Sequence, residues 1–215
     1  MKKHSLAKLL ATDIYGLTAE EYSLGRSNIE MVDLLIAAGI QVIQYREKHK
    51  KARLMYQECQ MIRQKTRAAD VLFLVNDHID LALLVGADGV HIGQEDLPPD
   101  QVRKLVGEEM LIGLSTHSPA QAAAAEGLGV IDYIGVGPIY ATSTKTDVCA
   151  PVGLEYLEYV VQHVTLPFVA IGGIKEHNIK QVKDHGAQTI AVVTDIVGAQ
   201  DVSAKVKALR QQLAR

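Results

Sequence analysis

Two short apolar segments in the middle of the chain, residues 71–75 and 89–92, constrain its fold more than any other feature. Both contain β-branched side chains and are bounded by polar residues, which is typical of buried strands. Between them, residues 79–85 are mainly apolar and are followed by Gly86, which predicts a short helix that ends at a glycine. A strand, a helix and a second strand in this order require the two strands to run parallel.

The same alternation extends along the whole chain and predicts one domain over residues 1–215. The predicted strands lie at 13–18, 40–46, 71–75, 88–92, 110–114, 131–136, 167–171 and 189–193. The predicted helices lie at 27–38, 51–69, 78–86, 98–106, 119–128, 153–164, 176–185 and 200–213. This pattern predicts an α/β fold of the (β/α)8 TIM-barrel type, with the site on the loops that follow the strands. A doubly wound open sheet alternates in the same way, but the strand count and the missing Gly-x-Gly-x-x-Gly turn disfavour it.

Composition excludes several classes of protein. The net charge is -3 and the pI is about 6.2, so no broad basic surface for nucleic acid is expected. No apolar run approaches the roughly 20 residues that span a bilayer. The first eleven residues hint at a signal peptide, but Lys8 interrupts their apolar part and Asp13 follows. Two cysteines, Cys59 and Cys149, are too few for a disulfide framework, so a cytoplasmic location is expected. Together these features predict a soluble protein that contacts neither membranes nor nucleic acid. It could form a homo-oligomer.

Two carboxylates follow neighbouring predicted strands. Asp77 lies just past the end of one strand, after Asn76, and Asp96 follows the next strand along the chain. Because both lie at the same rim of a parallel barrel, they predict a binding site for a hard divalent cation with bound phosphates. Each aspartate also precedes a predicted helix, so the alternative is that each is simply an N-cap. Asn76 and Gln94 beside them favour the metal.

A polar segment ends the second predicted strand. Side chains alternate along a strand, so Gln44, Arg46 and Lys48 should enter the barrel mouth while Tyr45 and Glu47 point away. Burying three polar groups without partners would cost several kcal/mol, which favours an anionic ligand. The alternative is a strand that simply runs into a solvated loop.

The loops after the fifth and sixth strands carry hydroxyl groups. Ser115 could donate to a phosphate, although the same segment suits an ordinary helix start, and His117 could be a general acid or base or merely solvated. Thr142, Thr144 and Lys145 are compact donors for a diphosphate; the alternative is a disordered surface loop.

The loops after the seventh and eighth strands predict a second anion site. Gly172 and Gly173 free backbone N–H groups, and Val193 and Thr194 follow the last strand, where barrels commonly bind phosphate. Two anion sites fit two phosphorylated substrates, one of them a diphosphate. No side chain is placed as a nucleophile, so the chemistry expected is loss of diphosphate, assisted by metal and cationic groups, and capture by the second substrate.

These segments resemble the thiamine-phosphate synthase family over nearly the whole chain. The matching motifs are Gln44, Arg46 and Lys48; Asn76 and Asp77; Gly93, Gln94 and Asp96; Gly113 and Ser115; Gly137, Pro138, Thr142, Thr144 and Lys145; and residues 171–174. The resemblance implies a ligand set for hydroxymethylpyrimidine diphosphate of Gln44, Arg46, Lys48, Asn76, Ser115 and Lys145, with Arg46, Ser115 and Lys145 catalytic. It implies that Mg²⁺ binds at Asp77 and Asp96, and that thiazole phosphate binds at Thr142, Thr144, Gly173, Val193 and Thr194.

The family reaction releases diphosphate from the pyrimidine methylene carbon, which the thiazole nitrogen then attacks. That nitrogen carries no proton, which agrees with the missing general base. Two other functions remain open: a thiazole tautomerase on the same barrel, with His117 as its base, and a phosphate-binding regulator without turnover. The tautomerase typically lacks the aspartate pair and the threonine-lysine segment found here.

Overall fold

The computed structural model describes residues 2–142 and 149–215. Its strands are parallel and close into a barrel in chain order. The strands are β1 (Ile14–Leu17), β2 (Val42–Tyr45), β3 (Leu72–Asn76), β4 (Gly89–Ile92), β5 (Leu111–Thr116), β6 (Tyr133–Val136), β7 (Phe168–Ala170) and β8 (Ile190–Val192). The prediction of a (β/α)8 TIM barrel is confirmed, and a doubly wound open sheet is excluded because β1 pairs with β8.

Helices follow each strand and cover the outside of the barrel. They are α1 (Lys2–Leu10), α2 (Asn28–Ala37), α3 (Ala52–Ala68), α4 (Ile79–Val85), α5 (Pro99–Val106), α6 (Pro119–Leu128), α7 (Gly153–His163), α8 (Ile179–Asp184), α9 (Thr194–Val197) and α10 (Val202–Leu213). Every predicted helix is present, with its ends displaced by at most three residues. A short 3-10 turn at Glu20–Tyr22 and the helices α1 and α9 were not predicted.

Local sequence signals set the helix ends. Ser27 caps α2 in a capping box, in which its side chain accepts from the Glu30 N–H and the Glu30 carboxylate accepts from the Ser27 N–H. Gly86 ends α4 with φ 61°, a left-handed conformation that favours glycine, as its position in the sequence predicted. Such caps fix where the chain leaves each helix and enters the next strand.

The N-terminal segment is part of the fold. Leu9 is buried against the side chains that fill the barrel interior, and its carbonyl oxygen accepts a hydrogen bond from Thr189 Oγ1 at 3.2 Å. Lys2 forms an ion pair with Asp132 at 2.8 Å. Within this segment Leu9 and the partly buried Leu6 pack against the barrel interior, while Leu10 is exposed.

Apolar side chains fill two layers. One lies between the strands and the outer helices and includes Ile43 and Phe73; the other lies inside the barrel and includes Val42 and Leu74. Because successive strand residues alternate between these layers, the residues at the carboxyl end of each strand have defined directions. Among the described residues, no helix is long and apolar enough to cross a membrane.

Candidate active site at the carboxyl ends of the strands

One cavity of about 560 Å³ opens at the carboxyl ends of the strands. The predicted site residues that line it are Gln44, Arg46, Lys48, Asn76, Asp77, Asp96, Ser115, Thr142, Gly173, Val193 and Thr194. Thr144 and Lys145 lie outside the described residues. The structure therefore brings together every predicted site residue that it describes, and their roles in binding and catalysis remain predictions.

The end of β2 follows the predicted alternation. Gln44 is buried inside the barrel, only 4% exposed. Tyr45 points the other way, and its hydroxyl donates to Glu58 Oε2 on α3 at 2.6 Å. Arg46 and Lys48 line the cavity, and Thr18 Oγ1 accepts the Arg46 N–H at 3.0 Å. This strand therefore presents its polar groups to the cavity.

A cluster of charged groups holds the loop after β2. Lys50 Nζ donates to Glu20 Oε2 and to Glu58 Oε1, each at 2.5 Å, and lies 3.8 Å from Glu47. Burial lowers the pKa of Lys50, but the bonds to Glu20 and Glu58 outweigh it, so the pKa is raised overall. Asn28 Nδ2 joins the cluster through Glu47 and Glu58. The loop that carries two cationic residues into the cavity is thus anchored from behind.

Asp77 and Asp96 are not the helix caps that the sequence left as an alternative. The N-cap of α4 is His78 and that of α5 is Pro98, and neither helix has a side-chain cap. Asp77 instead has φ 61°, a conformation uncommon for a non-glycine residue. The Gly93 N–H donates to Asp96 Oδ2 at 2.6 Å. Both carboxylates line the cavity, where they can take a ligand.

The two carboxylates, Asp77 and Asp96, suit Mg²⁺ better than Zn²⁺ or Ca²⁺. Among the described residues, no group of three or more His, Cys, Asp or Glu side chains could hold a metal ion. Mg²⁺ commonly binds through one or two carboxylates, several waters and substrate phosphates. Asp77 and Asp96 in one cavity with cationic residues therefore fit a magnesium diphosphate, and they do not form a complete protein shell for zinc or calcium.

A chain of hydrogen bonds that no sequence pattern predicted crosses the barrel interior. Gln44 Nε2 donates to the Tyr15 hydroxyl at 2.7 Å, and this hydroxyl lies 3.3 Å from that of Tyr133. The Tyr133 hydroxyl lies 2.9 Å from His91 Nδ1, and His91 Nε2 lies 2.9 Å from Ser115 Oγ. Burial raises the pKa of Tyr15 to about 12 and that of Tyr133 well above 10, so both hydroxyls are protonated.

Two glycines make room for this chain. A Cβ atom on Gly113 would lie 2.2 Å from Tyr133 Cζ and 2.5 Å from His91 Nδ1. A Cβ atom on Gly135 would lie 3.2 Å from His91 Cε1. Gly113, on the strand between those of the two rings, must therefore lack a side chain for the rings to meet, and Gly135 leaves room for the His91 ring. Strand alternation could have placed these rings inside the barrel, but not in contact.

His117 also lines the cavity. Its Nδ1 atom lies 2.5 Å from the Gly137 carbonyl oxygen, and its N–H donates to Gln121 Oε1 at 2.7 Å. A carbonyl oxygen can only accept, so Nδ1 carries a hydrogen. This contact gives the ring a structural role in holding the loop after β6.

The loops after β7 and β8 lie on the other side of the cavity. Gly172 and Gly173 have φ 102° and 65°, and a Cβ atom on Gly173 would lie 2.6 Å from the Ala141 carbonyl oxygen. Val193 caps α9, which starts at Thr194. Within the described part of the chain, the N–H groups of Gly173 and Thr194 have no hydrogen-bond acceptor. Such groups can receive a phosphate.

A closed parallel barrel with a polar cavity at the carboxyl ends of its strands defines the class: a (β/α)8-barrel enzyme. The family model described as thiamine monophosphate synthase matches residues 14–196, and the chain belongs to this family. Through its membership, the protein is an enzyme of the transferase class.

Individual relatives agree over almost the full length. The chain is 67% identical over 215 residues to the thiamine-phosphate synthase of Pelotomaculum thermopropionicum, covering 100% of this chain and 98% of the relative. It is 52% identical over 204 residues to the thiamine-phosphate synthase of Lawsonia intracellularis, covering 95% and 94%. The solved structure of thiamine phosphate pyrophosphorylase from Pyrococcus furiosus matches with a TM-score of 0.86 at 34% identity, covering 97% of this chain and 98% of that one.

Proposed function

We propose that the protein is a thiamine-phosphate synthase that joins hydroxymethylpyrimidine diphosphate to thiazole phosphate and releases diphosphate. The observation that carries this proposal is the arrangement of the cavity at the carboxyl ends of the strands. Its cationic and carboxylate side chains follow β2 to β4, and the loops with free backbone N–H groups follow β7 and β8 on the other side of the barrel. Two substrates that each carry phosphate need two such places within reach of one another. The likeness to named synthases over the full chain supports the same assignment.

The side of the cavity formed by residues at the carboxyl ends of β2 to β5 suits the diphosphate. Arg46 and Lys48 supply positive charge, and Asn76 and Ser115 supply neutral donors, all lining the cavity. Asp77 and Asp96 would hold Mg²⁺, which supplies neutralisation of the charge that develops on the leaving diphosphate. Lys145 is proposed for the same diphosphate and lies outside the described residues.

The side of the cavity formed by the loops after β6 to β8 suits the thiazole phosphate. The N–H groups of Gly173 and Thr194 can donate to phosphate oxygens, and the Thr194 hydroxyl adds a third donor. Thr142 lines the same side, while Thr144 lies outside the described residues. Binding the acceptor here directs its ring nitrogen towards the pyrimidine methylene carbon, which suits attack after the carbon–oxygen bond has broken.

We propose a dissociative substitution without a covalent enzyme intermediate. The side chains of this site bind and neutralise the diphosphate, and no base is needed because the attacking nitrogen carries no proton. Ser115 Oγ lies 2.9 Å from His91 Nε2, but we assign Ser115 as a hydrogen-bond donor to the substrate and not as a nucleophile.

The test is an assay with purified protein, both substrates and magnesium, in which thiamine phosphate and diphosphate are separated and quantified. We expect both products in equal amounts, and their loss on addition of a chelator. Tight binding of both substrates without product would instead support a regulator. Product formation that chelation leaves unchanged would contradict the role of the metal.

The variant His117→Ala separates the proposal from the tautomerase alternative. A synthase should keep most of its rate, because His117 binds the Gly137 carbonyl oxygen and performs no proton transfer in this mechanism. Complete loss of activity in a folded variant, with tautomerase activity in the native protein, would support the alternative.

A further inference from the structure

We infer that Tyr15, Tyr133 and His91 are positioning residues that form a one-directional chain of hydrogen bonds between Gln44 and Ser115. This chain turns the hydroxyl hydrogen of Ser115 and the amide oxygen of Gln44 towards the cavity. The inference deepens the proposed function, since it rests on these two residues binding the pyrimidine diphosphate. It assigns a task to two buried tyrosines and the partly buried His91, which the mechanism does not otherwise use.

The direction of the chain is set at Gln44. An amide nitrogen only donates, so the Tyr15 oxygen accepts the hydrogen of Gln44 Nε2. The hydroxyl hydrogen of Tyr15 is then available to the Tyr133 oxygen, 3.3 Å away, since no other acceptor for it is found among the described residues of the protein. The Tyr133 hydrogen in turn points to His91 Nδ1. Each hydroxyl accepts once and donates once.

The direction fixes the tautomer of His91. A neutral imidazole has one donor and one acceptor nitrogen. Because Nδ1 accepts from Tyr133, the ring hydrogen lies on Nε2 and is donated to Ser115 Oγ. The hydroxyl hydrogen of Ser115 is therefore not used by His91, and the residue lines the cavity. The hydroxyl hydrogen of Ser115 is thus directed to an anionic acceptor such as a diphosphate oxygen.

This arrangement is the reverse of a serine nucleophile with a histidine base. In a nucleophilic pair, Nδ1 carries the hydrogen and Nε2 accepts the serine hydrogen. Here the group behind the ring is a hydroxyl that donates, not a carboxylate that accepts. The same Ser115–His91 contact at 2.9 Å therefore makes a substrate donor of the serine rather than a nucleophile.

The packing holds the chain rigidly. Tyr15 and Tyr133 line the cavity but are only 2% and 0% exposed, so their hydroxyls have little contact with water. Strand register places His91 beside Gly113 and Gly113 beside Tyr133, which brings the two rings together above a residue with no side chain. The ring centroids lie 5.5 Å apart. A change in hydrogen-bond direction must therefore occur without large movement of the rings.

The first experiment determines the His91 tautomer by ¹⁵N NMR of the native protein at about pH 8, above the ordinary histidine pKa. The His91 signals are assigned by their absence in His91→Gln, since the chain has 8 histidines. We expect the hydrogen on Nε2. A hydrogen on Nδ1 would overturn the inference. This measurement needs no substrate, so it stands or fails independently of the proposed function.

The second experiment breaks the chain. Tyr133→Phe removes the donor to Nδ1, so we expect the Nδ1-protonated tautomer to gain population and the affinity for hydroxymethylpyrimidine diphosphate to fall about 10-fold. The affinity for thiazole phosphate should be unchanged, which a general loss of structure would not produce. If Tyr133→Phe fails to fold, Tyr15→Phe removes the donor one step earlier and should shift the tautomer in the same direction.

The matched control is Tyr156→Phe. Tyr156 is also buried, and its hydroxyl donates to Thr116 Oγ1 at 2.7 Å, which is not part of the chain of hydrogen bonds from Gln44 to Ser115. The control should leave the His91 tautomer and both substrate affinities unchanged. An equal shift in Tyr156→Phe and Tyr133→Phe, or no tautomer shift in a folded Tyr133→Phe, would overturn the inference.

Discussion

The ammonium group of Lys48 donates a hydrogen bond to the Oδ2 atom of the Asp77 carboxylate. The two residues come from the loops after adjacent strands β2 and β3. One of them is proposed for the diphosphate and the other for the metal, so their contact links the two functions. A magnesium diphosphate would offer each residue a partner of opposite charge.

Replacing Lys48 should therefore affect metal and diphosphate in opposite directions. In Lys48→Met, Asp77 loses its cation, so we expect Mg²⁺ alone to bind more tightly and hydroxymethylpyrimidine diphosphate to bind at least about 10-fold more weakly. Calorimetric titration with each ligand measures both effects. The control is Lys65→Met, which breaks an ion pair with Asp33 at 2.8 Å; neither of these residues lines the cavity. Weaker binding of Mg²⁺ in Lys48→Met would contradict this account.

Asp96 should govern the magnesium requirement. In Asp96→Asn, the amide oxygen can still accept the Gly93 N–H, so the loop keeps its shape and only the charge is lost. We expect the magnesium concentration for half-maximal activity to rise about 10-fold or more. Asp100→Asn, at an exposed position of α5, is the control and should match the native protein. The account is wrong if both variants share the native magnesium dependence.

The glycine between the two rings should be essential to stability. Gly113→Ala places a methyl group 2.2 Å from Tyr133 Cζ, so we expect a loss of about 1–3 kcal/mol in the free energy of unfolding. Gly127 lies within α6 with no atom within 4 Å of its added Cβ, so Gly127→Ala should stabilise by about 0.5–1 kcal/mol. Urea denaturation measures both. Equal stability of the two variants would show that the barrel tolerates movement of the rings.

Acid should weaken the contact between Asp13, which precedes β1, and Arg210 on the last helix, α10. Burial raises the pKa of Asp13, but hydrogen bonds from Arg210 and the Ile14 N–H outweigh it, so the folded pKa lies below 3.8. A lowered pKa stabilises the fold above the unfolded value and loses this effect as the pH falls through the folded value.

The variant Asp13→Asn tests this effect. It should be less stable than the native protein at neutral pH, and the difference should shrink as the pH falls below about 4. Denaturation at a series of pH values gives the difference. Asp184→Asn, which breaks an exposed pair with Lys180, should have little effect at neutral pH. A difference for Asp13→Asn that grows on acidification would contradict the assignment.

Local sequence patterns were sufficient for the barrel and for most of the cavity lining. Strand alternation placed Gln44 inside the barrel and Tyr45 outside it, and the structure confirms both. The helix α9 was missed because four residues are too few to show a period. The helix α1 was missed because its lysines interrupt the apolar pattern, while its packing depends on the closed barrel.

The polar chain inside the barrel could not be predicted in the same way. Tyr15 and Tyr133 are separated by 118 residues, and their contact depends on the register of strands that are not neighbours in the sequence. Each residue alone resembles an ordinary strand aromatic. Only the closed barrel shows that His91 meets Tyr133 on one side and Ser115 on the other. Long-range register, not residue type, was the missing information.

The most direct test of the central claim is a crystal structure with magnesium and hydroxymethylpyrimidine diphosphate. We predict an ion bound by the carboxylates of Asp77 and Asp96 and by diphosphate oxygens, at about 2.1 Å. Lys48 should then contact the diphosphate as well as, or instead of, Asp77. A diphosphate bound at Gly173 and Thr194, or an ion that contacts neither aspartate, would contradict the account.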